Sequence, residues 1–422
     1  MKFLINLNKK ALAYLRDHKV LHYFFVLIFM LIFLYPLSIQ NTPYFMYVVG
    51  LEVVIGAIAI ILTLPCYWKK DFVILVFGLF IILGISVIAV GKNLLIFVYF
   101  AIYCISMILI SYFLYEVDKD NYFVALSDYS FLMIMIHGVA TLFFPDGLLQ
   151  TQNAAGHGIP VHFLGIGNQL SIFLLVYYVI ILVVHRMNGK DGFKLPIAGV
   201  MAVIGIWYSN SATGLVGLIV FVLAITIYNL MRKYELIGDV KIKNIYRASG
   251  IILFSILLFH SLFTAFNVQK YFESFLEAAF EKNATFTDRT FIWDEAFAKI
   301  KKSPLIGYGA PGSTYIFLKS SGNKFGAHNI FLEMALMGGI PTLVAFCVML
   351  YYTIYKLLDI KNRKVRHITF SLFIAIFTMS ITEVYSLSIL IFLMFLPIVI
   401  NDYYKGRKDL PKVKAEGKES VN

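Results

Sequence analysis

The chain has 422 residues, 60% of them hydrophobic and 14% charged, with a mean hydropathy of +0.81. That composition excludes a soluble globular domain, and apolar runs of membrane-spanning length recur along the chain. The formal charge of +12 does not mark a nucleic-acid binder: Lys and Arg collect in short segments between apolar runs, as in cytoplasmic loops, and no basic face interleaved with aromatics stands apart from them.

Lys2, Lys9, Lys10, Arg16 and Lys19 precede the first apolar run. That run is too long for a signal peptide and has no small-x-small cleavage site after it, so it reads as an uncleaved first span. A window of about 19 residues gives about twelve spans, near 20–38, 44–65, 72–90, 94–115, 122–144, 167–185, 195–208, 213–231, 248–266, 329–355, 367–384 and 386–400. The seventh and the last are short. Ser209-Asn210-Ser211-Ala212-Thr213-Gly214 joins two neighbours that can form a broken or re-entrant pair. Cys66, Cys104 and Cys347 lie in or beside apolar runs, without metal-ligand spacing or a disulfide framework, and read as small buried residues.

Most Lys and Arg fall in the inner segments when both termini are cytoplasmic, and the stretch 145–166 has none. The positive-inside rule therefore sets that orientation. It leaves 267–328 as one long outer loop, a length usually tied to function. In it, Tyr271, Phe272, Phe275, Leu276, Ala279 and Phe280 recur at helical spacing opposite Glu273, Glu277 and Glu281, as in a helix lying on the bilayer. Thr287 or Asp288 offers an N-cap for a second helix to about Lys302, which Ser303-Pro304 ends. Gly307, Gly309, Pro311 and Gly312 make an irregular turn more readily than an anion cradle. The expected fold is an all-α polytopic integral membrane protein with a long extracytoplasmic loop containing short helices. It divides into a first bundle part (1–266), the loop (267–328), the last three spans (329–400) and a basic, polar cytoplasmic tail (401–422). No internal repeat is evident, which argues against a transporter built from repeated bundles.

Few residues on this frame carry chemistry. Arg289 opens the second outer helix, with Trp293, Ala296 and Ile300 on its side. Its fork suits a phosphate or pyrophosphate, and it also suits a headgroup or an ion pair with Asp288, Asp294 or Glu295. His328-Asn329 lies at the mouth of the span that follows the loop. A histidine there can take a proton from a sugar hydroxyl, or simply cap the span. Glu52, Glu333 and Glu383 fall in the outer parts of spans and together can form an acidic rim in which one carboxylate orients His328 or is itself the base. Structural pairing with Lys or Arg is the alternative. Asp128 lies nearer the inner side. His137, Asn168 and Gln169 suit a cavity lining or helix–helix hydrogen bonds equally, and His157 and His162 are too isolated to read as metal ligands. Phosphate-loop, HExxH, GxSxG and dinucleotide motifs are missing. An outward-facing site has no nucleotide supply, so synthesis there requires a donor already activated in the membrane.

The run Arg289-Thr290-Phe291-Ile292-Trp293-Asp294-Glu295-Ala296, its continuation Ser303-Pro304-Leu305-Ile306-Gly307-Tyr308-Gly309, and His328-Asn329 followed by Gly339 and Thr342 at the signature spacing resemble the O-antigen ligase and Wzy-type polysaccharide polymerase superfamily. The specific match covers about 288–342. The resemblance implies a membrane glycosyltransferase that uses a polyprenyl-pyrophosphate-linked glycan without nucleotide or other cofactor. It implies Arg289 on the carrier pyrophosphate and His328 on the acceptor hydroxyl. Glu333, from its place in the outer part of a span, is a further catalytic candidate. Asn329, Trp293, Lys324, Asn210, Glu52 and Glu383 are candidate substrate-binding residues. Many members have a second arginine in a Ser-Arg-small sequence. Here Ser209-Asn210-Ser211-Ala212 lacks it, and Lys324 and Lys319 stand as substitutes.

The expected activity is polymerisation of undecaprenyl-pyrophosphate-linked repeats into capsular or O-antigen polysaccharide at the outer face of the cytoplasmic membrane. A flippase and a chain-length regulator would be pathway partners, and no nucleic acid is involved. A ligase, which differs only in its acceptor, is the closest rival. A flippase of lipid-linked sugars is the next, and a non-enzymatic scaffold the last. The outer loop has no clustered Asp-x-Asp pair, which argues against a metal.

Overall fold

The computed structural model describes residues 2–152, 158–189, 192–209, 211–233, 244–266, 289–309, 316–318 and 323–406. The surface helix expected over 271–281, the caps Thr287 and Asp288, and Asn210, His157, Lys319, Pro311, Gly312 and the tail beyond 406 lie outside the described residues.

Fourteen α-helices carry the described fold. They are α1 (Lys2–Asp17), α2 (Lys19–Phe33), α3 (Phe45–Tyr67), α4 (Asp71–Val90), α5 (Leu94–Val117), α6 (Lys119–Phe143), α7 (Gly167–Asn188), α8 (Lys194–Tyr208), α9 (Ala212–Lys233), α10 (Ile245–Thr264), α11 (Arg289–Lys302), α12 (Ile330–Leu358), α13 (Arg363–Met379) and α14 (Leu387–Gly406). Each of the twelve segments expected from hydropathy falls on a helix. Nine of these helices, among the described residues, are long and apolar enough to cross a membrane: α3 to α7, α9, α10, α12 and α14. The other three are shorter: α2 and α8 have 15 residues each, and α13 has 17 and begins with Arg363, Lys364 and Arg366. Of the twelve expected spans, nine therefore coincide with helices of full length among the described residues, and the count of twelve is not reached by that measure. α1 is a separate helix tied down by polar side chains, Asn8 to the Leu62 carbonyl and Arg16 to the Val117 carbonyl, both at 3.3 Å.

The all-α expectation needs one amendment. Two short antiparallel hairpins occupy inter-helix connections: β1 (Leu149–Gln152) with β2 (Gly158–Val161), and β3 (Ile316–Leu318) with β4 (Asn323–Phe325). Leu149 stands opposite Val161 and Ile316 opposite Phe325. Long connections satisfy their backbone N–H and C=O groups by pairing with themselves.

α14 is apolar all round and almost wholly buried from Leu387 to Asn401, the signature of a helix enclosed by others. α7 is similarly enclosed, whereas α3 turns Met46, Tyr47, Leu51, Val54, Ile58 and Ile61 outward. α12 packs against α4, α10 and α14, and α13 packs against α7 and α9.

The run expected as one uninterrupted span over 329–355 is broken. Gly338 (φ −131°, ψ 27°) and Gly339 (φ 71°, ψ −170°) leave helical geometry inside α12. A break at this depth exposes backbone groups that lipid cannot satisfy, so protein must do it. The turn Pro304–Gly309 does. Ile340 N donates to Pro304 O at 2.7 Å, Tyr308 N to Leu336 O at 2.8 Å and Gly309 N to Met337 O at 2.8 Å. Ser86 Oγ of α4 lies within donating reach of both Met337 O, at 2.9 Å, and Ile306 O, between which its single proton is shared. The Ser-Pro-Leu-Ile-Gly-Tyr-Gly run and the Gly339 position are thus two halves of one lock.

Candidate active site

α11 is held on the first half of α12 by an apolar contact. Ile292, Trp293 and Ala296 pack with Ala327, Leu332 and Leu336. Trp293, expected to bind substrate, is completely buried in this contact and serves to seat the helix. Seated this way, α11 turns Arg289 at its first position into the bundle.

There Arg289 meets the connector between α13 and α14. Its Nη2 donates to Glu383 Oε1, and the Asn168 amide donates to the same oxygen. Ser211 Oγ donates to Asn168 Oδ1 at 2.6 Å and in turn accepts from Gly214 N at 2.9 Å. His328 Nδ1 stands 3.5 Å from Glu383 Oε2. The arginine and glutamate side chains are only 12% and 11% exposed, while His328 is 30% exposed. One carboxylate therefore holds the guanidinium on one side and the imidazole on the other. Burial alone would raise the Glu383 pKa. The His328 hydrogen bond, the Arg289 and His328 charges and the Asn168 bond outweigh it and hold the group below its ordinary value.

That depression fixes a sign. A carboxylate with a lowered folded pKa stabilises the fold above its unfolded value, and the contribution is lost as pH falls through the folded value. Wild type is expected to melt higher than Glu383→Gln at neutral pH. The difference should shrink once pH drops below about 4.3, the ordinary glutamate range. Melting curves of both proteins in detergent across that interval test it, and a pH-independent difference would refute the pairing.

His328 itself has φ +47°, a left-handed conformation that non-glycine residues rarely adopt and that clusters at functional sites. The next residue explains how the conformation is held. Asn329 caps α12, its Oδ1 accepting from Phe331 N at 3.0 Å and Leu332 N at 3.2 Å. Its amide donates to His260 Nδ1 at 3.1 Å and to Ile381 O at 3.3 Å. His260 Nε2 lies 3.0 Å from Phe377 O, so these partners set the neutral tautomer with the proton on Nε2. Asn329, expected from the sequence to bind substrate, thus ties α10, α12 and the 380–386 connector together around His328.

The remaining candidates fall elsewhere. The three glutamates have different partner groups. Glu383 lies beyond the end of α13 rather than in a span. Glu333 accepts from Ala327 N at 3.1 Å, and Glu52 is buried in α3 with Tyr99 Oη donating to it at 2.7 Å. Asp128 pairs with Lys194 at 2.6 Å and accepts from Tyr23 at 2.7 Å, a structural anchor. His137 and His162 are buried with ring centroids 6.2 Å apart, and burial lowers the His162 pKa against the opposing pull of Asp146. Lys324 lies in β4. Asn168 belongs to the charged cluster, and Gln169 lines a neighbouring cleft. Two participants escaped the sequence reading: His260, and Ser211 as the residue that orients Asn168.

A bundle of membrane-length helices with an Arg–Glu–His cluster around one buried carboxylate defines a polytopic membrane protein with a polar site at the end of its bundle. Residues 197–347 match the family model Wzy_C, described as O-antigen ligase. That stretch is similar to the O-antigen ligase family, a likeness that agrees with the motif residues Arg289 and His328-Asn329. No curated protein and no solved structure matches the chain. The matched stretch runs from α8 into α12 and contains both Arg289 and His328.

Proposed function

We propose that the protein polymerises polyprenyl-pyrophosphate-linked oligosaccharide repeats into a surface polysaccharide, capsular or O-antigen, at the outer face of the cytoplasmic membrane. The observation that carries the reading is the convergence of Arg289 and His328 on the single buried carboxylate of Glu383. The cluster supplies a fixed cation and a proton acceptor within one site, the two groups that glycan transfer from a pyrophosphate carrier requires.

In this reading a hydroxyl of one lipid-linked repeat attacks the anomeric carbon of a growing lipid-linked chain. A new C–O glycosidic bond forms as the anomeric C–O bond to the carrier breaks. The bonding pair leaves on the pyrophosphate oxygen, and the hydroxyl proton passes to His328. With Nδ1–H directed at Glu383 Oε2, His328 presents the Nε2 lone pair to the hydroxyl, and Glu383 stabilises the imidazolium that forms. Arg289 keeps Nη2 on Glu383 and turns the rest of its fork to the pyrophosphate, whose charge grows as the bond breaks. A flippase and a chain-length regulator of the same pathway are the fitting partners, and both termini lie in the cytoplasm.

His328→Asn is the informative substitution, because asparagine tolerates the left-handed backbone but cannot accept the proton. Activity is expected to fall by roughly 10²–10⁴-fold with membrane insertion unchanged. The test places wild type and His328→Asn in a strain lacking the gene and profiles surface polymer together with lipid-linked glycans. Accumulation of single lipid-linked repeats without long chains supports the polymerase. Long lipid-linked chains that never reach a final acceptor identify a ligase instead. Wild-type behaviour of the variant would exclude the site and favour a flippase.

A further inference from the structure

Beside the charged cluster lies a half-open cleft of about 540 Å³, within the size range of small-molecule sites. It adjoins a smaller recess of about 180 Å³ that shares Leu37, Gln40, Phe100 and Phe173 with it. Three walls of the cleft continue directly from the charged site. Val384 follows Glu383, Gln169 follows Asn168, and Gly326 and Ile330 bracket His328 along the chain.

The lining chemistry is selective. Gln40, Gln169, Glu333 and Ser386 supply amide, carboxylate and hydroxyl groups, and Phe100 and Phe173 supply flat apolar faces. Among the described residues the lining includes a carboxylate and neither Lys nor Arg, a surface that disfavours a pyrophosphate and suits an uncharged polyol. A sugar ring has that character, with hydroxyls around its edge and an apolar face that can lie on an aromatic ring. Tyr385 gives a second sign of an occupant. It lines the cleft, it is 2% exposed, and its hydroxyl has no hydrogen-bond partner among the described residues, a state that is costly unless a bound group satisfies it.

We propose that this cleft binds the acceptor end of the glycan, the sugar ring whose hydroxyl attacks, while the donor's pyrophosphate stays with Arg289. The assignment rests on the transferase reading above. Gln169 and Gln40 are its specificity-determining residues. Glu333, whose carboxylate also closes the turn at Ala327, accepts from the ring hydroxyls.

The test uses the full-length protein in lipid nanodiscs. The donor is lipid-linked glycan extracted from cells lacking this protein, and the acceptor probe is the same repeat glycan freed from its carrier by mild acid. Gln169→Ala and Gln40→Ala trim polar atoms without opening the apolar packing. Each is expected to raise the acceptor KM at least tenfold and to leave the donor KM within about twofold, with Gln169→Asn intermediate. A raised donor KM with an unchanged acceptor KM would overturn the assignment, as would no change in either. If one alanine variant fails to insert, the other carries the test. Failure of the transferase reading has a separate signature: wild type would release no carrier pyrophosphate from the donor at all, and the acceptor assignment would fall with it.

Discussion

Arg289→Ala is expected to eliminate chain growth, by two effects that can be separated. In the proposed reaction, loss of a preorganised cation beside the leaving pyrophosphate should lower the rate by roughly 10²–10³-fold. Loss of the ion pair also strands Glu383, whose side chain is 11% exposed, and removing one partner of a buried pair typically costs about 3–5 kcal/mol. The double variant Arg289→Ala/Glu383→Gln removes the stranded charge. It should therefore recover membrane insertion and thermal stability while remaining inactive. Arg289→Lys keeps the charge without the fork and should fall between wild type and alanine. Insertion levels, melting temperature and polymer formation measured on the same set separate the two effects. Recovery of activity in the double variant would contradict a role for Arg289 in transfer.

Gly339→Ala is expected to disrupt assembly of the site without touching any charged residue in it. Gly339 has φ +71°, and a Cβ there would lie 2.6 Å from Pro304 O and from the Leu305 carbonyl carbon. Those neighbours are backbone, and they are held by the hydrogen bonds that close the helix break, so they cannot move aside cheaply. Backbone strain and overpacking together amount to roughly 2–6 kcal/mol, a large share of the ~5–15 kcal/mol that typically separates folded from unfolded proteins. Gly307→Ala should behave alike, since its Cβ would meet Leu336 O at 2.5 Å. Gly78 in α4 is the control. A Cβ there meets nothing within 4 Å, and alanine favours a helix, so Gly78→Ala should be neutral. Yield of monodisperse protein and its melting temperature report the outcome. A Gly339→Ala protein as stable as wild type would mean that the turn does not lock the break.

Helices were legible in this chain and their interruptions were not, for a physical reason. Hydropathy reports where a segment is stable against lipid and is blind to φ and ψ. It placed each expected span on a helix but ran straight through Gly338-Gly339 and carried the 367–384 window past Met379, where α13 ends. That overrun placed Glu383 inside a span, when its position in the connector is what lets it reach Arg289 and His328. The lock itself joins Pro304–Gly309 to residues about thirty positions later, a pairing that no local period encodes. Arg289 and His328 were legible because their residue types are costly near a membrane and their spacing resembles a family. Asn168 and Ser211 were ambiguous because small polar residues serve helix packing as often as sites. His260 had a readable signal. It is an ionisable residue within an apolar run, and the rule that singled out the three glutamates applies to it equally.

The most direct test of the account is a single-turnover assay with purified protein and isolated lipid-linked glycan, without nucleotide, that follows release of the carrier pyrophosphate and growth of the glycan in the same samples. The account predicts that wild type yields one carrier pyrophosphate for each glycosidic bond made, and that Arg289→Ala and His328→Asn yield neither. Glycan growth by either variant at the wild-type rate, or no coupled release by wild type, would contradict it.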